Sequence, residues 1–369
     1  MDNSSPQLTG VKPTGSSSPQ NAEVKPTGNS LPLLQLKNID VTFFKGKGLF
    51  RPKQEIKVLS GVNLEIYPGE VLALVGESGG GKTTVGNVIT CLVKPSAGEM
   101  IFNGENVLTM TNEKLNEYRK NVQLVQQDSY AALNPSRTVR QSLTDPILIR
   151  KVAPNRKAAE IRVKELLETV ELKPIDMYID KYPHQLSGGQ RQRVLMARAI
   201  SLNPKLIIAD EPVSMIDVSL RISVLNLMSR LNAELGIAFL YITHDLATAR
   251  YISRNGRICV LYLGKVVEIG PVLNVIDQPA HPYLQALLSA VPVPDPVIAA
   301  KRKRFPLKSF DMPSILTPPP GCRFHTRCPY AQPQCETDEC PLTEFNGRLT
   351  ACIRAGEIPD YSKYEEEII

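Results

Sequence analysis

The apolar and polar positions change period several times along the chain. Leu34–Phe44 and Lys57–Ile66 alternate well enough to predict two strands. Val71–Val75 is a short continuous apolar run, the pattern of a strand covered on both faces. A glycine-rich turn follows, and then a helix is expected from Gly81 to Leu92. Strands are expected again at 99–102 and 122–126. From about 139 to 202 helical spacing takes over: Ile161, Val163, Leu166, Leu167 and Val170 predict one amphipathic helix, and Arg191–Leu202 another. Leu206–Ala209 returns to the buried-strand pattern, and helix and strand alternate to about 291. This order predicts an α/β fold on a mostly parallel sheet, interrupted by a helical insertion.

The ends depart from that pattern. Nineteen of the first thirty residues are Ser, Pro, Gly, Thr or Asn, too few apolar groups to bury, so residues 1–31 are expected to form a disordered low-complexity tail. Within it Val11-Lys-Pro-Thr-Gly15 recurs as Val24-Lys-Pro-Thr-Gly28. After Val291 the chain turns Pro-rich, then Cys-rich, then acidic, so residues 292–369 read as a small appended region. Residues 32–291 remain as the main domain, its helical part at about 139–202.

Composition narrows the classes. The 369 residues are ample for a core, and 42% hydrophobic with 22% charged residues excludes wholesale disorder. Forty-three Lys and Arg against 37 Asp and Glu leave +6, too mild to argue for nucleic acid. Tryptophan is absent and aromatics are 6%, against an aromatic single-strand platform. Lys301-Arg-Lys-Arg304 reads as a solvated run, or as a contact for anionic headgroups. The longest apolar runs fall far short of the roughly 20 residues that span a bilayer, and the N-terminus carries no apolar signal segment. The chain is therefore expected neither to be secreted by that route nor to cross a membrane itself.

The strongest chemical signal is Gly76-Glu77-Ser78-Gly79-Gly80-Gly81-Lys82-Thr83-Thr84, which follows the Val71–Val75 run and opens a helix. Its glycines let main-chain N–H groups converge on phosphate oxygens, and the helix N-terminus adds partial positive charge. Lys82 is expected on the β- and γ-phosphates and the Thr83 hydroxyl on Mg²⁺. The strand Leu206–Ala209 ends in Asp210-Glu211, the first suited to the Mg²⁺ shell and the second to attacking water. Between the two motifs stands Leu186-Ser187-Gly188-Gly189-Gln190, a helix start able to bind an anion.

Together these three motifs resemble the ATP-binding subunit of an ABC transporter. The resemblance implies a P-loop ABC ATPase core and an ATP- and Mg²⁺-dependent reaction. It implies that the 186–190 site closes on the γ-phosphate held by a second ATPase subunit. It further assigns Gln127, or by a slip of one Gln126, to the glutamine that senses Mg²⁺ and faces the membrane subunit. His244 falls at the switch histidine, Asp217 at the aspartate of the following loop, and Phe43 where an aromatic stacks on adenine. Met215-Ile216 departs from the usual Ala-Leu before that aspartate.

Gln278-Pro-Ala-His281-Pro-Tyr283, Ser289–Pro296, Gly321–Pro329 and Ala351-Cys352 narrow the resemblance to the oligopeptide/dipeptide importers, closest to the second of their paired ATPase subunits. That branch implies a sister ATPase, two separate permease subunits, an extracellular solute-binding protein, no nucleic acid, and a peripheral position on the cytoplasmic face of the membrane. Peptides, nickel chelates or sugars are the implied solutes. Five of the seven cysteines fall between Cys322 and Cys352. Four thiolates, Cys322, Cys328, Cys335 and Cys352, suit [4Fe–4S] or zinc, with unmetallated thiols as the alternative. The spacing lacks a paired C-x2-C zinc form, and the resemblance favours the iron–sulfur cluster. Cys340 is left as a spare fifth, and the cluster is expected to lie apart from Lys82.

The sequence therefore predicts an ATPase that energises solute import. A soluble ABC ATPase acting on DNA or ribosomes would predict two cassettes or a long coiled-coil insertion, whereas about 105 residues separate Lys82 from Ser187. A subunit that binds ATP without hydrolysing it is disfavoured by the presence of Glu211 and His244.

Overall fold

The computed structural model describes residues 31–45, 54–292, 295, 297 and 304–359. The Val-Lys-Pro-Thr-Gly repeat and Lys301–Lys303 lie outside them.

Two sheets organise the described residues. β1 (Leu34–Lys45), β2 (Gln54–Ile66), β4 (Ala97–Phe102) and β5 (Glu105–Asn106) form an antiparallel sheet in the order β2-β1-β4-β5. The larger sheet holds β3 (Val71–Val75), β6 (Val122–Val125), β7 (Leu206–Asp210), β8 (Ala238–Thr243), β9 (Arg257–Tyr262), β10 (Lys265–Pro271), β11 (Thr343–Phe345) and β12 (Arg348–Thr350). Its order is β11-β12-β10-β9-β3-β8-β7-β6. The run from β9 to β6 is parallel, with Leu74 opposite both Cys259 and Ile242. The last three strands pair antiparallel. The expected parallel sheet is thus the side of it that runs from β9 to the edge strand β6. The first two strands pair antiparallel with each other, and the eight residues between them are fewer than the dozen or so that a parallel crossover needs.

Alternation along the parallel strands divides the core. Leu206 and Ile208, with Leu72, Leu74, Leu240 and Ile242, face the antiparallel sheet and α1 (Lys82–Ile89). Ile207 and Ala209, with Phe239 and Tyr241, face the helical layer. Successive side chains of a strand point to opposite faces, so both faces of these strands must be apolar.

After α2 (Asn112–Asn121) and β6, the helical part contains α3 (Ser129–Ala132), α4 (Val139–Ile149), α5 (Arg156–Thr169) and α6 (Gly188–Ile200). Val163, Leu166, Leu167 and Val170 are buried as the spacing predicts, but Ile161 is exposed. It stands two positions before Val163, which turns it almost to the opposite side of a helix with 3.6 residues per turn. Then come α7 (Val218–Leu235), α8 (Leu246–Ile252), α9 (Val272–Asp277) and α10 (Pro282–Ala290).

The described part of the C-terminal region supplies β11 and β12 to the large sheet. It also covers a third core, in which Phe305, Phe324 and Cys328 pack with Val75, Val260, Tyr262 and Tyr283. Phe324 is 1% exposed, its ring 5.4 Å from Tyr262 and 5.6 Å from Tyr283.

Candidate active site

β3 delivers the chain into the glycine-rich turn, and α1 starts at Lys82. At Gly76 (φ 154°) a side chain would overlap the Leu261 carbonyl oxygen, so the loop lies directly on β9. Lys82 is 5% exposed, and its Nζ donates to the carbonyls of Gly76 (2.7 Å) and Glu77 (3.0 Å). Burial lowers its pKa, opposed by the carboxylates of Glu211, Asp210 and Glu77. Ser78, Gly79 and Thr83 are exposed at the mouth of the loop, with Thr84 half-buried, while Gly80 accepts the N–H of Gly264 at 2.8 Å.

The end of β7 faces this loop. The Thr83 hydroxyl lies beside the Asp210 carboxylate and favours its charged form. Burial raises the Asp210 pKa, with Glu211 adding to it, and its Oδ1 is buried without a hydrogen-bond partner. A buried orphan acceptor beside a hydroxyl is a hard-oxygen donor set, which fits Mg²⁺.

Glu211 has φ 45°, in the left-handed region that a non-glycine residue occupies at a cost, and its N–H donates to Ile242 O at 2.9 Å. Its Oε2 accepts from Gln127 Nε2 at 3.0 Å and its Oε1 pairs with His244 Nδ1 at 2.9 Å. A carboxylate only accepts, so His244 carries the hydrogen on Nδ1. Gln127, not Gln126, is the glutamine that reaches this carboxylate. Its amide is turned to Glu211 rather than to the Thr83–Asp210 pair where the metal was expected.

Ser187 begins α6 with a reciprocal cap: Gln190 N–H donates to Ser187 Oγ, and Ser187 N–H to Gln190 Oε1 at 2.9 Å. Beside Gly188 stands the Met215 carbonyl, and beside Gly189 the Leu220 side chain. The segment thus packs against the loop after Glu211, where Asp217 is exposed ahead of α7. Ile216 is buried there and Met215 exposed. Phe43 is 42% exposed on β1, opposite Ile56.

Residues 59–214 match the ABC transporter family, and residues 267–335 match the oligopeptide/dipeptide transporter C-terminal region. Over 323 residues the chain is 43% identical to the putative oligopeptide transport ATP-binding protein YkfD of Bacillus subtilis (strain 168), covering 87% of this chain and 95% of the relative. It is 42% identical over 325 residues to the oligopeptide transport ATP-binding protein OppF of Salmonella typhimurium, covering 87% and 96%. The chain belongs to the oligopeptide branch of the ABC transporter ATP-binding proteins. Its fold matches solved cassettes of that family. One is the ATP-binding cassette MJ0796 in a dimeric post-hydrolysis state bound to ADP and Pi, with a TM-score of 0.56 and 31% identity over 65% of this chain and 98% of the other. As a member, the chain is an ATP-hydrolysing transport subunit.

Around this ABC site stand residues that the motifs did not announce. Arg191 of α6 is buried, lies 3.7 Å over the Tyr130 ring, and donates to Leu186 O and to Ser129 Oγ. It ties the segment after Gln127 to Leu186, just ahead of α6. Tyr283 Oη accepts the N–H of Glu77 at 2.7 Å, and Arg327 is ion-paired with the Glu77 carboxylate at 2.9 Å. Through Arg327 the Cys-rich segment reaches the phosphate loop at Glu77. That segment docks Phe324 into the third core, and this docking carries Arg327 to Glu77. Two arginines, Arg323 and Arg327, flank Phe324, and nothing local in the sequence tells which of them reaches the loop.

Cys322, Cys328, Cys335, Cys340 and Cys352 all line one small pocket, so Cys340 is not set apart. Interaction between Cys322 and Cys340 lowers the Cys340 thiol and pushes Cys322 up; burial pushes Cys352 up to about 12. Among the described residues no three His, Cys, Asp or Glu side chains are arranged to hold one metal ion. The five thiols thus share one pocket without a formed metal site among the described residues.

Proposed function

We propose that this subunit powers import of peptides through separate membrane subunits at the cytoplasmic face of the membrane, paired with a sister ATPase. The observation that carries the mechanism is Glu211 held by Gln127 and His244 on its two oxygens, next to Asp210 with its unpartnered Oδ1. Two donors fix the direction of one carboxylate, as general-base catalysis needs. In this reading Lys82 exchanges the Gly76 and Glu77 carbonyls for phosphate oxygens, and the loop N–H groups cradle them. Thr83 and Asp210 hold Mg²⁺, which when bound neutralises charge on the β- and γ-phosphates. Glu211 takes the proton of the attacking water, and His244 keeps Glu211 aimed.

Ser187, Gly188, Gly189 and Gln190 act in trans, on nucleotide held by the second subunit. The dimeric form of a cassette relative supports this. Peptides as the solute rest on the names of relatives such as AppF, an oligopeptide transport ATP-binding protein 44% identical over 306 residues. No helix among the described residues is long and apolar enough to cross a membrane, so the path for solute belongs to other chains in this reading. A cavity of about 500 Å³ between the sheet edge and the helical layer suits a permease segment. Arg119, Arg137, Arg150 and Arg198 line it against a single carboxylate, Asp145, so an acidic or helix C-terminal element fits best.

The five-thiol pocket is read as the seat of a [4Fe–4S] cluster with a structural role. Such a cluster spaces its thiolates more widely than one zinc ion does. Reconstitution tests the whole reading. The isolated chain should turn ATP over slowly, and the complex with sister ATPase, permeases and binding protein should be faster and respond to peptide. A monomer, verified by light scattering during turnover, that matches the complex would contradict the paired site.

A further inference from the structure

Glu77 puts a negative charge into the loop expected to receive the phosphates of ATP, five residues before Lys82. Every polar group it has is engaged. Arg327 Nη1 donates to Oε2 at 2.9 Å and to Oε1 at 3.2 Å, and Nη2 to Oε1 at 3.2 Å. The Glu77 N–H donates to Tyr283 Oη, and its carbonyl accepts from Lys82 Nζ and from the Gly80 N–H at 3.2 Å. Arg327 is itself 6% exposed, with its guanidinium 5.6 Å over the Phe324 ring and 6.0 Å over the Tyr262 ring.

Two consequences follow from charge and freedom. An unpaired carboxylate beside the phosphate site would repel an anionic nucleotide, and a desolvated guanidinium cancels that field at its source. The loop is also rich in glycine, so it loses conformational freedom on closing round phosphates. Clamping Glu77 by side chain and main chain removes part of that cost before nucleotide arrives.

We propose that Arg327 of the Cys-rich extension is a positioning residue for nucleotide binding, acting through Glu77 by neutralising it and holding the phosphate loop in its receptive form. This rests on the 76–84 loop being the ATP site. Arg327 need not touch nucleotide, so its effect should fall on binding and not on the chemical step.

The test uses full-length protein, titrated with Mg·ATP by calorimetry, and the assembled complex for KM and kcat. Arg327→Met keeps the bulk stacked on Phe324 and Tyr262 while removing the charge. It should weaken Mg·ATP binding about tenfold and raise the ATP KM equally, with kcat within about twofold of wild type. Arg327→Lys should fall between the two, and it carries the test if the methionine variant does not fold. Adding Glu77→Gln to Arg327→Met should recover binding, because the uncompensated anion is gone; a merely structural arginine would not be rescued this way. Binding by the charge-removing variant within twofold of wild type, or a double variant no better than Arg327→Met, would overturn the proposal. Wild-type protein that fails to bind Mg·ATP would instead overturn the nucleotide site, and this proposal with it.

Discussion

Glu211 Oε1 and His244 Nδ1 are 2.9 Å apart, while Gln127 holds the other carboxylate oxygen. Glu211→Gln offers one acceptor where the carboxylate offers two, so either His244 or Gln127 then faces an N–H. Mg·ATP binding should persist, and hydrolysis in the assembled complex should fall at least ~100-fold, the low end for losing a general base. Single-turnover assays check this. A rate within about threefold of wild type would remove Glu211 from the chemistry.

Arg150→Glu should weaken association with the membrane subunits, because it places an anion in a cavity lined by Arg119, Arg137 and Arg198. Recovery of permeases by affinity purification should drop about tenfold, with the Mg·ATP affinity of the isolated chain unchanged. Equal recovery would move the docking surface elsewhere.

The buried pair His281 and Glu268 makes stability depend on pH in opposite senses. His281 is fully enclosed, and burial depresses its pKa from 6.5 to about 3. Its contribution is complete above pH 6.5 and is lost progressively as pH falls towards 3. Glu268 accepts the N–H groups of Ala280 and His281, yet burial raises it from 4.5 to about 7. Its contribution is present below pH 4.5 and lost as pH rises through 7. Asn at 281 can still cap α10 by accepting the Tyr283 N–H, as His281 Nδ1 does at 3.1 Å. The Tm of His281→Asn relative to wild type should therefore be higher at pH 5 than at pH 7. A difference that does not vary with pH would contradict the depressed histidine.

For the five-thiol pocket, anaerobically purified protein should be brown, with about four irons per chain as a [4Fe–4S] cluster requires. Cys328→Ser should bleach it and expose residues 320–355 to protease. Because Arg327 is the neighbouring residue, nucleotide affinity should fall as well. Stoichiometric zinc without iron would assign the pocket to zinc, and metal-free protein would leave thiols alone.

The phosphate loop, Asp210-Glu211 and Leu186–Gln190 were legible because each is a contiguous segment whose local geometry fixes residue types at fixed spacing. The buried strands were legible for the same reason: Val71–Val75 and Leu206–Ala209 must be apolar on both faces. The Glu77–Arg327 pair spans 250 positions, and nothing local tells one arginine among 43 cationic side chains which carboxylate it meets. β11 and β12 were invisible because three residues are too few to show alternation.

The strand pairing of β10 with β12 bears on how the protein is made. Every motif from Gly76 to His244 leaves the ribosome well before Arg348–Thr350, which supplies β10 with its outer neighbour through Glu268 and Ile269. Until then β10 presents an open edge whose Val266, Val267 and Ile269 end up buried. The nascent chain thus carries its complete nucleotide chemistry while its sheet still lacks a border. Arg327 also emerges only in the last stretch of translation, so the full grip on ATP is completed after the parts that hydrolyse it.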